Sequence, residues 1–143
     1  MEKYLDLLQT LLNVCCHYII IYVLLIFNQH FQTFQISRQL YIVKNVVKSC
    51  ILLYVAIYAS IDFYKYLVSN VINMNLIYHY ASIYVSNDIL ALMLVPNLPY
   101  TTRIHHMITS LFLIYTLNID YNDITNVGEL LFIYTLFSSY TFL

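Results

Sequence analysis

Glycine is almost absent from this chain: Gly128 is the single one in 143 residues. A phosphate-cradling loop needs several glycines, and a G-x-S-x-G nucleophile elbow needs two, so P-loop and serine-hydrolase chemistry are excluded. Charge is scarce as well. Six Lys or Arg stand against seven Asp or Glu, a net charge of −1, and the basic residues are scattered rather than clustered. That pattern excludes nucleic acid as a partner. Of three cysteines, Cys15 and Cys16 are neighbours and Cys50 is alone, which provides neither a disulfide framework nor a metal-ligand spacing. No N-x-[ST] sequon occurs, and tryptophan is missing.

What remains is apolar. The chain is 62% hydrophobic and 9% charged, with a mean hydropathy of +0.73 and sixteen tyrosines. A soluble domain with a charged surface is hard to build from such a composition, whereas tyrosine suits the belts where a membrane meets water. At about 20 residues per span the length allows roughly five helices. The expected architecture is all-α: a polytopic transmembrane bundle forming a single membrane domain over residues 1–143, with spans at about 5–27, 46–64, 77–95, 99–117 and 124–143. The first span is too long for a signal peptide and has no small-residue cleavage site. Within it Asp6, Gln9, Asn13 and His17 recur at helical spacing, either as a polar stripe satisfied by neighbouring helices or as the wall of a polar cavity. Residues 28–48 read as a polar loop. Arg38, Lys44, Lys48 and Arg103 then lie on one side of the membrane against Lys3 and Lys65 on the other, which by the positive-inside tendency places the N-terminus outside the cytoplasm. The last span runs out at Leu143, as if the bundle were shortened.

The organising stretch is Tyr78 to Leu117, where Pro96-Asn97-Leu98-Pro99 folds two apolar helices into a hairpin. Asp88 lies eight residues before the first proline; His105 and His106 lie six and seven after the second. At about 1.5 Å of rise per residue, a carboxylate and two imidazoles reach the same depth, roughly 10 Å from the turn. Ionisable groups inside a membrane are costly and mark function first. Adjacent histidines point about 100° apart, so one at most faces Asp88. That one could act as a base or nucleophile, with Thr109 extending the hydrogen-bonding strip. Three structural alternatives stand beside this: an Asp88–Arg103 ion bridge, histidines at a wet interface, or a protonated Asp88 bonded to a Tyr or Ser. No H-x-x-H box occurs among the five histidines, so no metal centre is expected, and no cofactor either.

Around these residues the sequence resembles the TLC domain, the membrane family that includes ceramide synthases and the translocating-chain-associated membrane protein. The resemblance rests on Tyr84-x-x-x-Asp88, on His105-His106-x-x-Thr109, on Asn45-Val46-Val47-Lys48-Ser49, similar to an Asn-Arg-x-x-Ser opening, and on Gly128 in the later helix. It implies an integral membrane protein of the endoplasmic reticulum that binds, senses or regulates acyl lipids, with membrane lipids and other membrane proteins as partners. It also implies His105, His106 and Asp88 as catalytic residues if the chain is an N-acyltransferase with acyl-CoA as co-substrate; Thr109, Tyr84 and Arg103 stand beside them as candidate substrate-binding residues. Ceramide synthases carry His-Asp-x-x-Asp one helix later; here the segment reads LLFIYTLFSSYTFL, with no acid after Glu129. A lipid-binding protein without full catalytic machinery is therefore the first expectation. A reduced acyltransferase and an inactive remnant are the alternatives.

Overall fold

In the computed structural model, residues 2–69, 73–118, 130, 133–138 and 140 are described. Five helices form among them: α1 (Glu2–Ile26), α2 (Gln29–Gln32), α3 (Ile36–Ser69), α4 (Met74–Leu94) and α5 (Tyr100–Leu117). No strand occurs among the described residues, so the chain is all-helical. Residues 133–138 are helical as well, but most of the fifth expected span, with Gly128, Glu129 and the link 119–123, lies outside the described residues.

The helix ends follow from local chemistry. Asn28 caps α2 by accepting from the backbone N–H groups of His30 and Phe31, and Asn73 caps α4 by accepting from Asn75. Val95 ends α4 in an extended conformation immediately before Pro96, as the residue preceding a proline prefers. Pro99 then opens α5, where a missing N–H costs nothing. Asn28, Asn73 and the proline pair thus turn the chain back each time, and α1, α3, α4 and α5 alternate in direction.

α4 is the central helix, packing against α1, α3 and α5. Its middle is buried on every side, from Tyr80–Ser82 through Tyr84–Asp88 to Leu90 and Ala91. Small residues let the backbones approach: Ala59, Ala81 and Ala91 are all at most 1% exposed. The apolar core joins Val14 and Tyr18 of α1, Val47, Leu52 and Val55 of α3, Ile77 and Val85 of α4, and Leu113 of α5. At one end of the bundle Tyr80 donates to Asp62 at 2.6 Å and Lys65 holds the same carboxylate at 2.9 Å, tying α3 to α4.

The outside is the reverse of a soluble surface. Leu5, Leu8, Leu12, Ile20 and Leu24 of α1, and Met107, Ile108 and Leu111 of α5, are all more than half exposed. Two helices, Lys3–Ile26 and Ile36–Ser69, are long and apolar enough to cross a membrane.

One boundary differs from the sequence reading in a way that matters. α3 begins at Ile36, ten residues before the expected span, so most of the supposed polar loop is helix. Lys44 is 4% exposed and Lys48 is turned inward. Neither is a loop charge, and with them removed the charge count at the two ends is even, Arg38 and Arg103 against Lys3 and Lys65. No orientation follows from it.

Packing of this kind makes a ranking testable. Leu52→Ala, at a position 1% exposed, should lower unfolding free energy in detergent by about 2–5 kcal/mol. Leu53→Ala, half exposed one residue on, should stay within about 0.5 kcal/mol of the parent; equal losses would mean that α3 is rotated from the orientation described.

Candidate functional site

The α4–α5 hairpin holds its register over a long stretch. His106 Nδ1 meets Asp88 Oδ1 at 2.9 Å. Ten residues back along α4 and ten residues on along α5, the Tyr78 hydroxyl donates to the Thr116 carbonyl at 3.3 Å. The offsets from the two prolines therefore translate directly into contact. Asp88 and His106 are each 0% exposed.

Asp88 is held from three directions. Thr109, one turn beyond His106 on α5, donates its hydroxyl to Oδ2 at 2.9 Å. His106 faces Oδ1 from the same helix. Lys48 of α3 brings Nζ to 3.5 Å from Oδ1, with its side chain 14% exposed. The ammonium also lies 5.4 Å from the centroid of the buried Tyr84 ring, which offers its electron-rich face to the charge. A carboxylate, its countercharge, a hydroxyl donor and an imidazole thus close on one another where three helices meet. Beside them on α4, Asn87 is 1% exposed and accepts from the Tyr18 hydroxyl of α1 at 2.9 Å, so the fourth helix also reaches this level.

His105 and His106 diverge as neighbours on a helix must. His106 is buried, whereas His105 is half-buried and its ring centroid lies 5.7 Å away. Since Nδ1 of His106 is turned to the carboxylate, Nε2 points away from it, and that nitrogen is buried with no hydrogen-bond partner among the described residues. A carboxylate beside one ring nitrogen and an unpartnered second nitrogen is the pairing a general base or nucleophile uses, and here both are enclosed by the bundle.

The same three side chains could in principle hold an ion. Ligand-capable atoms of Asp88, His105 and His106, the three groups that the offsets from the prolines place at one depth, lie within 4.8 Å of one another. The charges argue otherwise. Lys48 already supplies the cation beside Asp88 Oδ1, and a divalent ion sharing that oxygen would face an ammonium at close range in a medium that screens poorly.

Arg103 is placed elsewhere. It is exposed, and its guanidinium donates to the Pro96 carbonyl at 3.2 Å, bracing the hairpin turn instead of pairing with Asp88. An Asp88–Arg103 ion bridge was one alternative for the sequence, but α5 opens with Arg103 on the outer face. Lys48 takes the role. The sequence carried a signal for this: Lys44 and Lys48 are one turn apart, in step with Val43, Val47, Ile51 and Val55 on the buried face. Thr109 and Tyr84 lie in the cluster, as hydrogen-bond donor to Asp88 and as ring beneath Lys48.

Compared with protein-family models, curated proteins and solved structures, the chain matches none of them.

The cluster predicts an order of stability effects. Lys48→Met should cost about 3–5 kcal/mol, because it leaves a buried anion without its countercharge. Thr109→Val should cost less, about 1.5–3 kcal/mol for one hydrogen bond to a charged group. Lys48→Met combined with Asp88→Leu should recover part of the single loss. A double-mutant cycle in detergent reads the coupling, and strictly additive losses would show that the two charges do not interact.

Proposed function

We propose that this chain is an integral membrane bundle, resembling a TLC domain of the endoplasmic reticulum, that binds acyl lipids and regulates membrane composition or a membrane partner. The observation that carries the reading is the inverted polarity: Lys48, Asp88 and His106 face inward while leucine and isoleucine face out along α1 and α5. Charges placed inside and paired, with apolar side chains outside, are what a hydrocarbon surrounding demands. α1 and α3 are long and apolar enough to cross a membrane. α4 carries Asp88, Asn87 and several tyrosines, but it is enclosed by α1, α3 and α5 and need not meet lipid around its middle. α4 and α5 are 21 and 18 residues long, close to the ~30 Å hydrocarbon thickness. The proposed fifth span, at about 124–143, includes the helical residues 133–138.

A second reading is favoured by one feature, the open Nε2 of His106 opposite the Asp88 contact. On that reading the chain is a reduced N-acyltransferase. His106 takes the proton from an amine acceptor as the nitrogen attacks the acyl-CoA thioester, Asp88 steadies the imidazolium that forms, and the proton passes to the CoA thiolate that leaves when the C–S bond breaks. Acyl-CoA is the donor that the TLC resemblance implies.

Two measurements separate these outcomes. The protein should resist alkaline carbonate extraction, dissolve only in detergent and carry bound lipid in stoichiometric amount after purification; release by carbonate would end the membrane reading. In liposomes given acyl-CoA and a sphingoid base, the lipid-binding reading expects no amide product. If product does form, His106→Ala should reduce the rate by about 10²–10⁴-fold, the usual contribution of a positioned base. An unchanged rate would remove His106 from the chemistry.

A further inference from the structure

Equal numbers of basic residues at the two ends of the bundle conceal unequal pairing. At the end where α1 begins and α3 finishes, Lys65 is 2.9 Å from the Asp62 carboxylate, and Asp6 stands on the same helix as Lys3. At the other end, formed by α2, the start of α3 and the α4–α5 turn, Arg38 and Arg103 are both exposed, and among the described residues no carboxylate lies within ion-pair distance of either. The sequence has no acid from Leu7 to Ile61 and only Asp88 between Asp62 and Asp120, and Asp88 is enclosed with Lys48. Both arginines are held in place. The Arg38 guanidinium rests 4.3 Å from the centroid of the Phe34 ring, which itself meets the His30 ring at 5.1 Å, and Arg103 is braced on the Pro96 carbonyl. Gln39 accepts from Tyr22 of α1 and donates to the carbonyls of Phe31 and Phe34, while Leu40 packs beside Val95 and Leu98 of the turn, so this end is knit into one body.

From this we infer that the α2 end of the bundle is a docking surface for anionic phospholipid headgroups, whose phosphates Arg38 and Arg103 engage. A guanidinium presents parallel N–H groups that match a phosphate. Lipid is the partner, rather than a soluble anion, because large apolar side chains stand beside the arginines: Phe27 is 80%, Ile36 69% and Tyr100 77% exposed. Ile36 lies two residues from Arg38, and Tyr100 three from Arg103. Such side chains gain nothing from water. At the boundary of headgroups and acyl chains the two rings and Ile36 enter the apolar side while the guanidinium groups meet the phosphate layer. The inference rests on the membrane placement proposed above and names the lipid class that this end selects, but it uses no chemistry at Asp88.

Full-length protein in a neutral detergent is titrated with phosphatidylglycerol or phosphatidylcholine of identical acyl chains, and retained lipid is counted by native mass spectrometry. The two lipids share a phosphate, but choline cancels its charge. Arg38→Gln should weaken phosphatidylglycerol about five-fold, and Arg38→Gln combined with Arg103→Gln about twenty-five-fold, the usual worth of a basic side chain at an anionic surface. Phosphatidylcholine should change less than about two-fold in either variant. Because Arg103 also braces the turn, Arg38→Gln alone carries the test if the double variant does not fold. Lys65→Gln, about 40 Å away along α3, should leave both lipids unchanged. Salt at about 1 M, where the screening length falls to about 3 Å, should remove the preference. Equal retention of the two lipids by the parent, or equal losses in Arg38→Gln and Lys65→Gln, would overturn the inference. So would displacement of phosphatidylglycerol by inorganic phosphate or polyglutamate beyond that by sodium chloride of equal ionic strength, which would assign the surface to a soluble anion. Carbonate resistance without a preference for phosphatidylglycerol would sink this inference alone, whereas release by carbonate would sink the membrane reading beneath it.

Discussion

One buried carboxylate sets the terms for the rest of this fold. Asp88 has no access to solvent, and an unpaired anion in that position would be untenable, since the several kcal/mol lost on leaving water must be recovered from partners within reach. The partners come from two other helices, Lys48 from α3 and His106 with Thr109 from α5. None of them can supply its part unless its helix is in one rotation and at one height. The cluster therefore specifies register as well as stability: a slide of one turn along α5 would remove His106 and Thr109 together. Apolar packing alone is far more forgiving of such slides, since leucine and isoleucine faces interlock at many heights.

The same reasoning explains the division between inside and outside. Once α4 carries Ser86, Asn87 and Asp88 in succession, all at most 1% exposed, it cannot present those positions to an apolar medium and must be surrounded. α1, α3 and α5 do this, and Tyr18 of α1 donates to the Asn87 amide oxygen in passing. The surrounding helices can then be apolar on their outer faces, as α1 is along Leu5, Leu8 and Leu12. A helix of mixed polarity at the centre and apolar helices at the periphery is one arrangement with a single cause.

Much of this was legible in the residues. Two prolines three apart told where the chain doubles back, and counting from them placed Asp88 and the histidines at one level, because helical rise is nearly constant. Which histidine would face the acid was not decidable from spacing, since neighbours differ only in angle. Lys48 was misread for a different reason. A basic residue next to Lys44 and Arg38 looks like part of a wet loop, and only the coincidence of both lysines with the buried valine face showed otherwise. The alternative of an Asp88–Arg103 bridge could not be decided from spacing, because depth along the hairpin says nothing about which side of α5 Arg103 occupies. The stripe from Asp6 to His17 was recognisable as one face of α1. That it borders cavities between α1 and its neighbours depends on how far α3 and α4 stand off, which side-chain volumes decide and no periodicity records.

The pairing of Lys48 with Asp88 also bears on how the chain is made. Forty residues separate the two, so α3 emerges from the ribosome carrying Lys44 and Lys48 before any carboxylate on α4 exists to meet them. On the membrane reading, each such lysine entering hydrocarbon alone carries a penalty of about 2.5–3.5 kcal/mol. Commitment of α3 to the bilayer would wait for α4, and the two would be released from the insertion machinery as a unit. Biogenesis would thus be ordered by an ion pair rather than by the sequence in which the spans are synthesised.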